Sequence, residues 1–126
     1  MLELKNASVS YGKVKALRDV DMHVGEGEFV ALIGSNGAGK STTLKAICGI
    51  EPLESGSISF AGQVISRLPY YKIKEAKITL IPEGRQLFPY MTVKENLEMG
   101  FYGEKQRTLL KERLEKVYTY FPDVYT

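Results

Sequence analysis

Gly34-Ser35-Asn36-Gly37-Ala38-Gly39-Lys40-Ser41 runs as a glycine, four free positions, then Gly-Lys-Ser, the pattern of a loop whose backbone cradles phosphate. Glycines suit such a loop because the chain must bend tightly enough to aim successive N–H groups at phosphate oxygens, with no Cβ in the way. Lys40 supplies a mobile charge for the β and γ phosphates, and the Ser41 hydroxyl is suited to Mg²⁺. Gly34 to Ser41 and the adjoining Thr42 form the expected nucleotide-contacting set. The pattern is short, so its flanks decide the reading. Phe29-Val30-Ala31-Leu32-Ile33 is a continuous apolar run, which predicts a central parallel strand covered on both faces. Downstream, Leu44, Ile47 and Cys48 recur at helical spacing, and Gly49 followed by Pro52 signals a stop. Strand, loop and helix in that order aim the helix N-terminus, with its partial positive charge, at an anion.

The chain of 126 residues is 44% hydrophobic, enough for one core and too short for two independent domains. Seventeen basic and 15 acidic residues leave a net charge of +2, too balanced for a nucleic-acid partner, which calls for a clustered basic face. The single cysteine, Cys48, forms no internal disulfide and reads as a buried structural thiol in a reducing compartment. Met1 leads directly into an alternating stretch with no signal-peptide pattern. No apolar run approaches the ~20 residues that span a bilayer, so work at a membrane would go through a partner.

Leu2 to about Ser10 and Ala16 to Val24 read as strands separated by the Tyr11-Gly12-Lys13 turn, which favours an antiparallel ribbon. Gly25-Glu26-Gly27-Glu28 is a turn delivering the chain to 29–33. Ser57 to Phe60 and Val64-Ile65 predict a small hairpin around Ala61-Gly62-Gln63. Ser66 to about Lys77 predicts a helix with Pro69 in its first turn. Ile78-Thr79-Leu80-Ile81 predicts a second buried strand, stopped by Pro82. Thr92-Val93-Lys94-Glu95 has capping-box spacing and opens a helix that Gly100 ends. Leu110, Leu114, Val117, Tyr118 and Phe121 form one apolar helical stripe, and Glu112 with Lys116 is spaced for an i, i+4 pair.

This order of motifs resembles the ATP-binding subunits of ABC transporters. The resemblance implies an α/β fold: a P-loop NTPase core of the ABC ATPase type behind an N-terminal antiparallel β subdomain, truncated before the signature motif. Residues 1–126 would then be the N-terminal part of a single ATP-binding domain. Those subunits carry an aromatic residue ahead of the loop, and Tyr11, 23 positions before Gly34, occupies that place. Alone, Tyr11 is one of eight tyrosines and reads as a strand-end residue packing on the core. The resemblance implies that it stacks on adenine, as a flat phenol ring can at low entropic cost.

Ile81-Pro82-Glu83-Gly84-Arg85-Gln86-Leu87-Phe88-Pro89-Tyr90-Met91-Thr92-Val93-Lys94-Glu95-Asn96-Leu97 resembles a segment of the branched-chain amino-acid subgroup, shared in large part with urea and amide importers. Most ABC subunits have glutamine where this chain has Glu83, at a position that meets Mg²⁺ and the attacking water. A carboxylate is a hard oxygen ligand, so metal contact by Glu83 fits that role. His23, the only histidine, lies too early to be the family's switch histidine and reads as packed or exposed. The resemblance further implies ATP and Mg²⁺ as cofactors, transmembrane permease subunits met through Glu83 to Asn96, and a second ATP-binding subunit closing on ATP. It implies a cytoplasmic place, peripheral on the inner face of the membrane.

The resemblance covers all 126 residues but about the first half of the family's usual length. No Leu-Ser-Gly-Gly-Gln signature, no acidic-pair strand and no late histidine occur in this sequence; Leu53-Glu54-Ser55-Gly56-Ser57 lacks the second glycine and is misplaced. Full-length subunits of this type are ATPases. This chain supplies the phosphate cradle and one metal contact, so the expectation is binding without efficient turnover. An alternative from another class is a non-hydrolysing nucleotide-binding module. A GTPase is disfavoured by the lack of a guanine-reading Asn-Lys-X-Asp element.

Overall fold

Two strands joined by the Gly12-Lys13 turn begin the chain. β1 (Leu2–Tyr11) and β2 (Val14–Val24) pair antiparallel, from Leu2 opposite Val24 to Tyr11 opposite Val14. In this computed structural model residues 1–102, 104 and 107–125 are described; Thr126, the last residue of the expected single domain, lies outside them. The described chain forms two compact units, Met1–Ile81 and Pro82–Thr126.

In the first unit β3 (Ser55–Phe60) adds antiparallel to the other side of β1, and β4 (Gln63–Val64) turns back on β3 as the expected hairpin. The sheet order is β2-β1-β3-β4. Period-2 alternation fails in the middle of β1, where register shifts bring Ala7, Ser8 and Val9 all into the interior. A bulge of this kind bends the strand and re-aims its side chains. The buried Ser8 hydroxyl accepts from the Asp19 amide at 2.9 Å and donates to the Asp19 carboxylate at 3.2 Å. No buried polar side chain among the described residues lacks a partner. This satisfies a hydroxyl that would otherwise cost ~1–3 kcal/mol in the core.

Over this sheet lies α1 (Lys40–Ile47), which buries Thr43, Ala46 and Ile47. Leu4, Ala7, Val9, Leu17, Ala46, Ile47, Ile58, Ile65 and Ile73 form the core. The helix ends as the sequence predicts: Ile50 N–H donates to the Lys45 carbonyl at 2.9 Å and Gly49 N–H to that of Ala46 at 3.0 Å, a Schellman motif. Cys48 is buried, and desolvation raises its thiol pKa, which keeps it protonated and unreactive. Leu44, expected on the inner face, is 43% exposed. Thr43 turns inward instead, its hydroxyl donating to the Gly39 carbonyl at 2.9 Å. The helix predicted over 66–77 is the shorter α2 (Tyr70–Glu75), with Pro69 as its N-cap and Ile73 buried.

Two expected strands do not form. Residues 29–33 and 78–81 enter no ladder, and Phe29 and Ile33 are each 94% exposed, Ile81 88%. Their apolar composition favours extension, but a central parallel strand needs neighbours at hydrogen-bonding distance and helices on both faces. Among the described residues no strand pairs with either segment. Ile78 alone packs on the core.

In the second unit α3 (Val93–Met99) opens on Thr92 with the predicted capping box. Thr92 Oγ1 accepts from Glu95 N–H at 3.2 Å, and the Glu95 carboxylate accepts from Thr92 N–H at 2.7 Å. The bond from Thr92 N–H foremost, and a second in which Thr92 Oγ1 donates to the Glu95 carboxylate at 2.9 Å, lower the Glu95 pKa. The Asn96 carboxamide accepts from Phe88 N–H at 2.9 Å and donates to the carbonyls of Phe88, Met91 and Thr92 at 3.0–3.2 Å. It pins the 88–92 loop to the helix. α4 (Leu110–Tyr120) half-buries Leu110, Leu114, Val117 and Tyr118 as the stripe predicts. Phe121 departs from it at 62% exposure, because the helix stops at Tyr120 and residue 121 leaves helical dihedrals, at φ −134° and ψ 74°. Among the described residues the ion pair on α4 is Lys111 with Glu115 at 4.0 Å rather than Glu112 with Lys116; both side chains are exposed, so it contributes little.

Candidate phosphate-binding site

The loop starts from Gly34 and turns at Ser35–Ala38, where Ala38 N–H donates to the Ser35 carbonyl at 3.2 Å around Asn36 and Gly37. Gly37 at φ +82° and Gly39 at φ +92° hold left-handed backbone, which side-chain-bearing residues adopt at a cost. Gly37 meets nothing within 4 Å of a built Cβ, so only its backbone angle demands glycine. Gly39 has a second reason, since a Cβ there would lie 2.5 Å from Leu17 Cδ2 and 2.9 Å from the Ala16 carbonyl oxygen.

α1 begins immediately after Gly39 with no side chain capping its N-terminus. The first N–H groups of a helix have no intrahelical acceptor, so those of Lys40, Ser41 and Thr42 are available to an anion. Lys40 Nζ folds back into the loop and donates to the carbonyls of Gly34 at 2.7 Å and Ser35 at 2.6 Å. An ammonium has three donors, and one remains for a ligand. The cation is thereby held at the mouth of the same loop that presents the helix N-terminus. These residues suit a polyphosphate. Ser41 is exposed in the first helical turn. Among the described residues no cluster of three or more His, Cys, Asp or Glu side chains forms a metal site. Ser41 is the hydroxyl that this loop offers a Mg²⁺ ion, which in such sites also takes phosphate oxygens.

Tyr11 ends β1, and its hydroxyl lies 3.5 Å from Thr42 Oγ1. The ring is 44% exposed, so it sits at the rim of the loop rather than in the core. The structure thus brings together Tyr11, Gly34 to Ser41 and Thr42. Glu83 is exposed and belongs to the second unit. His23 is exposed on β2 in a shallow cleft with Glu3, Lys5 and Asp21, at the opposite end of the ribbon from Tyr11. The structural parts of three residues escaped the sequence reading. Ala16 and Leu17 abut the loop, and nothing in a strand pattern marks a residue as a neighbour of a distant glycine. Asn96 lay inside a motif whose spacing carried no hint of its four bonds.

An antiparallel sheet, a glycine-rich turn with its lysine folded inward and an uncapped helix define a P-loop nucleotide-binding protein. The family model described as ABC transporter matches residues 17–124, and the chain belongs to that family. It is 44% identical over 123 residues to the high-affinity branched-chain amino acid transport ATP-binding protein BraG of Pseudomonas aeruginosa, covering 97% of this chain and 52% of that protein. It is 37% identical over 116 residues to the sn-glycerol-3-phosphate import ATP-binding protein UgpC of Rhizobium meliloti, covering 91% of this chain and 32% of the relative. The chain thus spans about half the length of the first relative and a third of the second. A nucleotide-free ATP-binding cassette from an ABC transporter superposes with a TM-score of 0.79 at 26% identity, covering 91% of this chain and 51% of that one. The dimeric post-hydrolysis cassette MJ0796, bound to ADP and Pi, gives 0.74 at 26% identity over 92% and 55%. No helix among the described residues is long and apolar enough to cross a membrane.

Proposed function

We propose that this chain is the nucleotide-gripping part of an ABC importer's ATP-binding subunit, serving branched-chain amino acids. The observation that carries the nucleotide reading is Lys40 Nζ held at the Gly34 and Ser35 carbonyls beside an uncapped helix N-terminus. The choice of solute class is supported by the likeness to BraG, which covers more of the chain at higher identity than the likeness to UgpC.

In this reading Gly34, Ser35, Asn36, Gly37, Ala38 and Gly39 turn backbone N–H groups toward the phosphates, with those of Lys40, Ser41 and Thr42 behind them. Lys40 neutralises the β and γ phosphates, and Tyr11 stacks on adenine. Mg²⁺, when bound, would draw charge from the γ phosphate, and Ser41 would hold it; the sequence resemblance gives Glu83 the role of a metal contact. Transmembrane permease subunits meet the Glu83 to Asn96 region, where the Asn96 bonds keep the 88–92 loop in one shape. A second ATP-binding subunit completes the site, on the cytoplasmic face of the membrane. Residues 1–126 form part of one ATP-binding domain in this assignment, and alone they bind ATP with turnover no faster than background. Robust turnover by the purified chain, abolished by Lys40→Ala, would overturn that last point.

The transport assignment is tested by uptake of labelled leucine and labelled glycerol 3-phosphate in cells lacking the gene. The expected result is loss of leucine uptake alone; loss of glycerol 3-phosphate uptake alone, or of neither, contradicts it.

A further inference from the structure

The β1–β2 ribbon touches the phosphate loop and its helix at two places. Near the ribbon's turn, Tyr11 reaches Thr42. Five and six residues further along the chain, the Ala16 carbonyl and the Leu17 side chain occupy the space where a Cβ on residue 39 would be. Leu17 is 4% exposed and pairs across the ribbon with Val9, itself 1% exposed. Its isobutyl group is therefore locked between a buried strand neighbour and the glycine that ends the loop. Gly39 in turn accepts at its carbonyl from both the amide and the hydroxyl of Thr43, at 2.8 and 2.9 Å. A displacement at Leu17 thus passes to the peptide where the loop becomes the helix.

We infer that Leu17 is a positioning residue for triphosphate binding: it touches no ligand and fixes the left-handed Gly39 peptide, and with it the direction of the first N–H groups of α1. The inference rests on the reading of the loop as an ATP site. Closely packed interiors transmit a change of even one methylene, and donors aimed at an anion lose strength steeply when misdirected. Shortening Leu17 leaves room for the Gly39 peptide to rotate. Nearby core residues that do not face the loop should lack this effect. Leu4 is the natural comparison, being 1% exposed on the same ribbon, paired with Met22, toward the end opposite Tyr11.

The test compares Leu17→Ala, Leu17→Met, Leu4→Ala and the unsubstituted chain for melting temperature and for affinity toward a fluorescent ATP analogue with Mg²⁺. Leu17→Ala is expected to weaken binding about tenfold, the change that 1.4 kcal/mol produces. Leu4→Ala, though it also lowers the melting temperature, should stay within about twofold of the unsubstituted chain, and Leu17→Met should recover most of the affinity because it refills the volume. Should either alanine variant not fold, the comparison is read on Leu17→Val against Leu4→Val. Equal affinity losses at the two positions, or no loss at Leu17, overturn the inference while leaving the ATP site intact. Failure of the unsubstituted chain to bind the analogue overturns both.

Discussion

The β1–β2–β3 sheet and the segments 29–33 and 78–81 are both rich in apolar residues, yet only the sheet is paired. In the sheet, Leu4, Ala7, Val9 and Ile58 are at most 1% exposed, whereas Phe29 and Ile33 stand 94% exposed in the other region. The difference lies in where the partners come from. β1 and β2 are joined by a two-residue turn, and β3 with β4 by another, so antiparallel pairing closes locally at small entropic cost. A parallel strand needs partners delivered by crossovers. An apolar run therefore specifies extension and burial, while the partner that buries it is non-local information.

The comparison yields graded predictions. Ile58→Ala, at 0% exposure, should cost about 2–5 kcal/mol as a cavity in the core, read as a shift of the denaturant midpoint. In the unpaired region Ile33→Ala should change stability by no more than about 0.5 kcal/mol; a loss matching that of Ile58 would mean that 29–33 is paired in solution. Thr92→Ala, which removes the N-cap of α3, should cost about 1 kcal/mol, visible as faster amide exchange over 93–97. The smallest effect is on pH. The Glu95 pKa is depressed in the folded chain by its bonds with Thr92, so its contribution is present above the ordinary carboxylate pKa and fades as pH falls through the lowered value. An acid titration should shift the Thr92 and Glu95 amide resonances together, and Glu95→Gln should abolish that transition.

What the sequence made legible was what is local. Gly12, Gly49 and Gly100 marked real ends, the Thr92 to Glu95 spacing gave a real capping box, and Gly34 to Ser41 gave a loop with its lysine folded inward. The bulge that buries Ala7, Ser8 and Val9 was not legible, because it depends on Asp19 reaching Ser8 from the opposite strand. Nor was the inward turn of Thr43 in place of Leu44, which follows from the hydroxyl finding the Gly39 carbonyl. The second glycine requirement at residue 39 was invisible for the same reason: the residues that impose it, Leu17 and Ala16, lie 22 and 23 positions away.

The most direct test is a calorimetric titration of ATP with Mg²⁺ into the 126-residue chain and into its Lys40→Ala variant. A charge-assisted bond of about 1.5–3 kcal/mol predicts saturable binding by the first and an affinity about 10–100-fold weaker in the second. Equal affinities, or no binding to the unsubstituted chain, would contradict the assignment of Gly34 to Ser41 as a working phosphate loop.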